Sequence, residues 1–373
     1  MSKKKIFIWI DHRQDLFKDT AMKIWENPEK PFAEFTASSL QADILEKEGF
    51  TIRKDLKDLP TAFVAEYGNG RPVIGITGEY DALPKLSQKR VAQRAPVQEG
   101  APGHGCGHNL LGVGGMAAAM AVKQAIASGE IHGTIRYYGC PAEEVLAGKV
   151  FMQKEGVFDD LDACFSWHPA SMNQVWSCSF LAVNSAVFHF SGISAHAAAA
   201  PEMGRSALKG VELMNIGAHY LREHISDQAR MHCTITNGGG EPNIVPAEAS
   251  VWYYVRAPKR DQVEDIFDRL KKVAEGAAMM TETEVRVEFL AGCYDVLPNE
   301  VLGDLMYQNM LEAGPPKFSD ADKAFARELA ATFPRGQKES VLRSYFAPAD
   351  LKEMDLHEGI VKTEGRGKVM AGS

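Results

Sequence analysis

The chain has 373 residues, 45% of them hydrophobic and 24% charged, and it carries a formal net charge of −8. This length and composition predict a globular protein with two or three domains. The net negative charge, with no basic run longer than residues 3–5, argues against nucleic acid as a partner.

The apolar stretches and the cysteines indicate in which cellular compartment the protein is expected. The apolar run at residues 6–10 is too short for the core of a signal peptide. Residues 110–122 are interrupted by glycines and are shorter than the roughly 20 residues that cross a bilayer. The six cysteines are scattered along the chain, which is typical of reduced thiols. We therefore expect a cytoplasmic protein without a membrane partner.

Helical and strand patterns alternate through the first 180 residues. Apolar residues at helical spacing predict helices within the first fifty residues. Short apolar runs at residues 62–65 and 73–77 predict buried strands, and residues 110–127 predict a buried helix. Two more strands are predicted at residues 133–139 and 163–167. This order favours an α/β fold with a mainly parallel sheet, in which ligands gather at the carboxyl ends of the strands.

A different pattern begins near residue 181. Strands are predicted at residues 182–190, 231–236, 249–255 and 284–289, and helices at 205–225 and 262–280. The order strand, helix, strand, strand, helix, strand is typical of a ferredoxin-like α+β domain. We therefore predict a catalytic domain at residues 1–180, an inserted domain at 181–295, and a second part of the catalytic domain at 296–373.

The strongest chemical signal is a glycine-flanked loop, residues 103–109, directly before the predicted helix. Cys106 and His108 lie two residues apart in it, so a thiolate and an imidazole can turn toward one metal ion. For an isolated Cys-x-His pair, a buried or reactive cysteine beside a surface histidine is the simpler interpretation. The position of this loop among the other polar clusters favours metal binding.

Two adjacent carboxylates, Glu143 and Glu144, follow a predicted strand and a Cys-Pro turn. Such a pair usually lies at the solvated start of a helix. Here we expect the first turn of a helix to face both carboxylates toward the carboxyl edge of the sheet. One carboxylate can then bind metal while the other accepts a proton, as metal-assisted hydrolysis requires.

His168 and Asp81 each follow a predicted strand. A lone histidine in this position is more often a polar cap, but the neighbouring clusters make His168 a candidate metal ligand. Asp81 could orient a ligand or bridge two metal ions, and a turn-forming aspartate before Pro84 is the alternative.

Four segments together resemble the aminoacylase and carboxypeptidase family of metallohydrolases, metallopeptidase family 20. They are Gly-Glu-Tyr-Asp-Ala-Leu-Pro at residues 78–84, Gly-His-Gly-Cys-Gly-His-Asn-Leu-Leu-Gly at 103–112, Gly-Cys-Pro-Ala-Glu-Glu at 139–144 and Trp-His-Pro at 167–169. The resemblance implies two divalent metal ions, zinc or manganese, and a general base, Glu143. The metal ligands that it implies are Cys106, His108, Glu144 and His168.

The resemblance also implies that the inserted domain forms a homodimer interface and acts as a lid. His196 matches a histidine that reaches toward the active site of the partner protomer and stabilises the oxyanion. Asn243 and Arg256 match residues that bind the carboxylate of the substrate. Without the resemblance, His196 would be interpreted as an exposed turn residue and Arg256 as a charge at a sheet edge.

Two positions depart from the family pattern. Glu79 stands where many relatives carry a metal-binding histidine, and a subgroup that shares this loss uses the cysteine of the Cys-x-His loop instead. The last metal ligand of the family is a histidine near the C-terminus, whereas His357 lies in a segment that does not match. We therefore expect the second part of the catalytic domain to be truncated before that ligand.

Three functions follow from these residues. The first is hydrolysis of the amide bond of an N-acyl amino acid or dipeptide-like substrate, in which Glu143 takes a proton from the attacking water and passes it to the leaving amine. Whether a companion hydrolase subunit is needed stays open. The second is a chain that dimerises or binds ligand without turnover. The third is a cysteine hydrolase that uses Cys106, and it predicts that chelators leave the activity intact.

Overall fold

The computed structural model describes residues 3–345, 354–361 and 368–370. The chain divides into two compact units. The first comprises Met1–Val175 and Val301–Thr363, and the second comprises Trp176–Glu300 and Glu364–Ser373. Of the segment 296–373, which the sequence assigns to the catalytic domain, residues 346–353, 362–367 and 371–373 lie outside the described part.

The first unit combines helices with one sheet. Its elements up to residue 165 are α1 (Lys3–His12), α2 (Gln14–Glu26), α3 (Phe35–Lys47), β1 (Thr51–Arg53), β2 (Phe63–Asn69), β3 (Val73–Glu79), α4 (His108–Ala127), β4 (Gly133–Cys140), α5 (Gly148–Lys154) and β5 (Ala163–Phe165). The helices within the first fifty residues and the helix that ends at Ala127 are as predicted.

The five strands are ordered β1-β2-β4-β3-β5. β3 runs parallel to both of its neighbours, β4 and β5, so the carboxyl ends of these three strands meet at one edge. β2 is antiparallel to β1 and to β4. The sheet is therefore mixed, and the predicted parallel arrangement holds for the three strands that precede the polar clusters. β2 differs because residues 70–72, which join it to β3, are too few for the crossover between parallel strands.

α4 is the core helix of the first unit. Its glycines, alanines and methionines let it pack closely, and Met116 and Met120 lie fully buried in one cluster with Phe63 and Tyr137 of the sheet. By length and composition this helix could cross a membrane, yet 56% of its apolar window is buried inside the protein. The burial identifies α4 as the centre of a packed core.

The second unit contains a four-stranded antiparallel sheet and two long helices. Its elements are β6 (Ser179–Phe180), β7 (Ala182–Ser191), α6 (Ala207–Leu221), β8 (Arg230–Asn237), β9 (Glu248–Ala257), α7 (Arg260–Thr281) and β10 (Glu284–Cys293). In the order β10-β7-β9-β8, the first and third strands of this sheet along the chain, β7 and β9, lie at the centre. This is the order of the predicted ferredoxin-like fold. Alternate strand residues such as Phe188 and Val251 pack against Val211 and Leu270 of the helices.

Three helices and a short strand follow the inserted sheet. They are α8 (Glu300–Ala313), α9 (Asp320–Ala330), α10 (Gln337–Ser344) and β11 (Val369–Met370). α9 begins at a capping box, in which the Ser319 hydroxyl accepts a hydrogen bond from the Asp322 backbone N–H. β11 pairs in parallel with β6, so this strand belongs to the second unit.

Candidate metal centre

The predicted polar clusters converge at the carboxyl ends of β3, β4 and β5. Asp81 lies two residues beyond β3, His108 is the first residue of α4, and His168 lies three residues beyond β5. Since β3 is parallel to β4 and β5, all of these side chains come to one edge of the sheet.

Gly107 allows the Cys106–His108 loop to approach the His168 segment. Its φ of +81° lies in the left-handed region, which glycine adopts without steric cost. A Cβ atom built on it would lie 3.1 Å from two side-chain atoms of Pro169. A side chain at this position would therefore strain the turn and crowd the segment that carries His168.

Trp167 fixes the position of His168 against α4. Its indole Nε1 donates a hydrogen bond to the Leu111 carbonyl oxygen, with 3.0 Å between the two atoms. A Cβ at Gly114 would lie 2.6 Å from the indole ring, so a glycine is needed where helix and tryptophan meet. The helix that begins at His108 thus also holds the strand-end segment of His168.

The tautomer of His108 follows from its acceptors. Its Nδ1 lies 2.9 Å from Asp81 Oδ1 and 3.1 Å from the Asp81 backbone oxygen. Both partners are acceptors when the carboxylate is ionised, so Nδ1 carries a proton, and in the neutral imidazole Nε2 presents a lone pair. The second oxygen, Asp81 Oδ2, accepts a hydrogen bond from the Glu144 backbone N–H at 2.9 Å. With both carboxylate oxygens engaged, Asp81 is arranged to orient a ligand.

His168 is held in the same way. Its Nδ1 lies 2.7 Å from the Pro169 carbonyl oxygen, which can only accept, so Nε2 again presents the lone pair. That Nε2 lies 3.3 Å from Cys106 Sγ. In both histidines, Nε2 is therefore the ring nitrogen that is available to a metal ion.

Glu143 and Glu144 lie in a turn rather than in the first turn of a helix, because α5 begins only at Gly148. Ala142 and Leu146, on either side of the pair, have φ values of +53° and +58°. Left-handed backbone cannot continue a right-handed helix and is strained for residues other than glycine. The expectation of a helical turn was wrong for this reason.

Glu34 binds the backbone of this turn through its side chain. Its side chain is buried, and Oε1 accepts hydrogen bonds from the backbone N–H groups of Ala142, at 2.8 Å, and Phe32, at 2.9 Å. Its Oε2 accepts a hydrogen bond from the Thr61 hydroxyl at 2.7 Å. Glu34 thus ties the strained entry of the turn to the segments that precede α3 and β2.

The polar atoms at the centre fit a bound cation. Among the described residues, two groups have ligand atoms close enough to share an ion, namely Cys106, His108 and His168, and Glu79, His108 and Glu143. Buried side-chain atoms without a hydrogen-bond partner in the described part of the chain include His108 Nε2, Glu79 Oε2, Glu143 Oε2 and Glu144 Oε1. Buried polar atoms are costly when left unpaired, so this donor set matches the divalent ions that the sequence implies.

The electrostatics of the site also favour a cation. Burial lowers the pKa of His108, but its hydrogen bonds and the charges of Glu79 and Asp81 outweigh that effect and raise the pKa to about 11. Burial raises the pKa of Glu143, and it raises that of Glu144 to about 7. Negative charge in excess therefore makes the centre take up positive charge, as a proton or as a metal ion.

Two residues at the centre were missed by the sequence analysis. Glu79, interpreted there as a lost ligand, points one carboxylate oxygen at His108 Nε2, 3.2 Å away. Lys149 binds the other oxygen, with 2.5 Å between Nζ and Oε1. The position of Glu79 at the end of β3, two residues before Asp81, was the available signal, whereas Lys149 carries no motif.

The remaining predicted residues lie in the second unit. His196 is exposed, and its Nδ1 accepts hydrogen bonds from the backbone N–H groups of Ala198 and Ala199. Asn243 lies beside it, because its carbonyl oxygen accepts a hydrogen bond from the Ala197 N–H. Arg256 lies on β9 with its guanidinium 4.9 Å from the centre of the Tyr254 ring.

Comparisons with known proteins agree with the fold. A family model described as peptidase dimerisation domain matches residues 183–279. One of the subunits of p-aminobenzoyl-glutamate hydrolase from Escherichia coli is 45% identical over 340 residues, which cover 91% of this chain and 71% of that protein. Xaa-Arg dipeptidase from Mus musculus is 30% identical over 319 residues, 82% of this chain and 70% of that protein.

Solved structures show the same fold. The aminobenzoyl-glutamate utilization protein of Klebsiella pneumoniae superposes with a TM-score of 0.64 at 20% identity, covering 87% of this chain and 90% of that one. A dinuclear metal-binding peptidase of the M20 family from Bacillus subtilis superposes with a TM-score of 0.56 at 21% identity, covering 81% and 80%. The chain belongs to the M20 family.

As an M20 protein, the chain is a metal-dependent amidohydrolase. The four-stranded inserted sheet, with its two helices, is the M20 dimerisation domain.

His357 has a structural role in this M20 chain. Its Nδ1 accepts a hydrogen bond from the Asn173 backbone N–H at 3.0 Å. It belongs to neither candidate metal group of the described residues, in agreement with the mismatch of its sequence context. It ties the segment after His168 to residues 354–361.

Proposed function

We propose that the chain hydrolyses the amide bond between an acyl group and an amino acid, with p-aminobenzoyl-glutamate as the first substrate to test. One observation carries the proposal. The Nε2 atoms of His108 and His168 and the thiol of Cys106 face a common position that is bordered by buried, unpartnered carboxylate oxygens among the described residues. The 45% identity to a p-aminobenzoyl-glutamate hydrolase chain supports the choice of substrate.

Two divalent ions, zinc or manganese, are proposed to bind at this position. Their ligands would be Cys106, His108, Glu144 and His168. Thiolate and imidazole with carboxylate suit zinc, and the carboxylates also suit manganese. When bound, the ions supply Lewis acidity that polarises an amide carbonyl and makes water more acidic.

Glu143 is proposed as the general base. Its Oε2 lies 3.7 Å from His108 Nε2, is buried and has no hydrogen-bond partner in the described residues. Burial raises the pKa of Glu143, which improves a carboxylate as a proton acceptor near neutral pH. It takes the proton of the attacking water and delivers it to the leaving amine. Asp81 keeps His108 in the tautomer that leaves Nε2 available.

The dimerisation domain is proposed to complete the site. His196 would stabilise the oxyanion in the active site of the partner protomer of a homodimer, and Asn243 and Arg256 would bind the substrate carboxylate. The His196 and Asn243 loops are held together by the hydrogen bond between Ala197 and Asn243. A companion chain is a further proposal, because a second, different subunit of the Escherichia coli hydrolase is 31% identical over 233 residues.

The test is a hydrolysis assay of the purified chain loaded with zinc or manganese. We expect release of p-aminobenzoate and glutamate, an activity that a chelator removes and added metal restores. N-acetyl amino acids and Xaa-Arg dipeptides serve as competing substrates. Absence of turnover on all three classes, with near two ions bound per chain, would refute the proposed function.

The same assay separates the competing functions. A cysteine hydrolase would keep its activity in the chelator and lose it in Cys106→Ser. A binding protein without turnover would contain at most one ion per chain and hydrolyse no acyl amino acid. No disulfide links any of the six cysteines among the described residues, which supports the proposal of a reducing compartment such as the cytoplasm.

A further inference from the structure

Glu79 lies at the end of β3 with its two carboxylate oxygens in different environments. Oε1 accepts a hydrogen bond from Lys149 Nζ at 2.5 Å. Oε2 is buried without a hydrogen-bond partner among the described residues. The side chain is 6% exposed, so solvent does not satisfy Oε2. Buried polar oxygens are costly when left unpaired, and the ion-pair partner that the described residues bring to this atom is His108 Nε2.

The atom that faces Glu79 Oε2 is His108 Nε2, 3.2 Å away. In the neutral imidazole, Nδ1 carries the proton toward Asp81, and Nε2 and Oε2 then present lone pairs to each other. Two lone pairs at this distance repel unless a proton or a metal ion lies between them. Zinc binds nitrogen and oxygen at 2.0–2.2 Å in tetrahedral geometry, which sets two ligand atoms of one ion about 3.3 Å apart. The observed separation matches that spacing.

Lys149 explains why the carboxylate of Glu79 holds this orientation. The lysine occupies Oε1 and thereby directs Oε2 toward His108. Its single positive charge cannot balance both Glu79 and Glu143, whose Oε2 is also buried and unpartnered among the described residues. The ion pair therefore leaves one carboxylate oxygen and one negative charge available at the centre.

We propose that Glu79 binds, through Oε2, the same metal ion that His108 binds through Nε2, and that Lys149 is the positioning residue for Glu79. Nε2 has one lone pair, so it serves one ion, although His108 belongs to both candidate metal groups. This inference rests on the metal centre of the proposed function and is independent of the substrate.

The experiment is a zinc titration of the full chain in competition with a chelating indicator. Glu79→Gln keeps the size of the side chain but removes the charge and weakens the ligand, and Lys149→Met is the matched variant that leaves Glu79 intact. Loss of an outer partner of a metal ligand lowers affinity about 10–100-fold. We therefore expect Glu79→Gln to lose more than about 100-fold, and Lys149→Met to lose less than Glu79→Gln.

Thermal unfolding with and without zinc distinguishes a ligand from a structural partner of Lys149. If Glu79 is a metal ligand, zinc should raise the Tm of Glu79→Gln less than that of the unmodified chain. The zinc-induced rise in Tm should persist in Lys149→Met. If both variants lower the Tm of the metal-free protein equally and keep the full zinc-induced rise, Glu79 is only the partner of Lys149 and the inference is wrong.

His108→Ala separates this inference from the proposed metal centre. If His108→Ala loses zinc while Glu79→Gln binds it normally, the assignment of Glu79 alone fails. If His108→Ala also keeps normal affinity, the whole centre fails. A crystal structure of the unmodified chain with zinc requires no variant to fold. Glu79 Oε2 within about 2.2 Å of an ion supports the inference, and a separation beyond about 3 Å overturns it.

Discussion

His108 Nδ1 and Asp81 Oδ1 lie 2.9 Å apart, and this contact decides which face of the imidazole is available to a metal ion. Asp81 also accepts the backbone N–H of Glu144. One carboxylate therefore connects the end of β3, the start of α4 and the turn that carries Glu143 and Glu144.

The first prediction concerns Asp81. Asp81→Ala removes the acceptor that fixes the His108 tautomer, so zinc affinity should fall about 10–100-fold. Asp81→Asn is the matched control, since its amide oxygen can still accept from Nδ1, and its loss should be smaller. A competition titration measures both. Unchanged affinity in Asp81→Ala would show that the tautomer does not depend on Asp81.

The second prediction concerns the general base. Glu143→Gln should keep its metal and lose activity by about 10²–10⁴-fold, because a glutamine cannot accept the proton of the attacking water. Glu144→Gln should instead lose metal as well as activity. Metal content and kcat are measured on the same samples. Activity near that of the unmodified enzyme in Glu143→Gln would mean that another group takes the proton.

The third prediction concerns thiol reactivity in the metal-free protein. Burial alone would raise the pKa of Cys106, but hydrogen bonds with His108 and His168 outweigh it, and the pKa is lowered. Burial raises the pKa of the Cys140 thiol to about 12. The thiolate is the reactive form and increases with pH, so iodoacetamide should modify Cys106 at a lower pH than Cys140.

Peptide mapping by mass spectrometry measures these rates. Zinc should protect Cys106, and Cys106→Ser should remove the early phase of modification. Equal rates for Cys106 and Cys140 at neutral pH would contradict the lowered pKa, and no protection by zinc would contradict the ligand assignment.

The fourth prediction concerns Glu34 and the strained turn. Glu34→Ala leaves the Ala142 N–H, the Phe32 N–H and the Thr61 hydroxyl without their acceptor. The Ala142 and Thr61 hydrogen bonds are buried, and each buried group left unpaired costs about 1–3 kcal/mol, so the free energy of unfolding should fall by several kcal/mol. Glu34→Gln retains one oxygen for the two backbone groups and should lose less. Urea unfolding measures the difference, and equal losses would show that the hydrogen bonds are not the cause.

The sequence predicted most of the fold because its signals are local. Helical spacing revealed α2 and α3, and short apolar runs revealed the strands of both sheets. Cys106 and His108 could be singled out because they lie in a glycine-flanked loop directly before a helix, and His168 because it follows a strand. Their assignment as ligands stays a prediction, supported by the geometry.

Other features depend on contacts between distant residues. Ala142 adopts a left-handed backbone because Glu34, 108 positions earlier, binds its N–H, and no residue type near Ala142 signals this. Glu79 was interpreted as a lost ligand because many relatives carry a histidine there, and its contact with Lys149, 70 residues away, could not be read from the sequence. The strand order, with β4 between β2 and β3, is a long-range feature that periodicity cannot reveal.

The two ends of the dimerisation domain are hydrogen-bonded to each other. Ser179 Oγ donates to the Val296 carbonyl oxygen at 2.7 Å, so the two residues that flank the four-stranded sheet and its helices lie next to each other. A block with adjacent ends can be exchanged or deleted without stretching the host backbone. A short linker in place of residues 182–295 would keep β6, with which β11 pairs, and is the corresponding route for engineering the chain without this sheet.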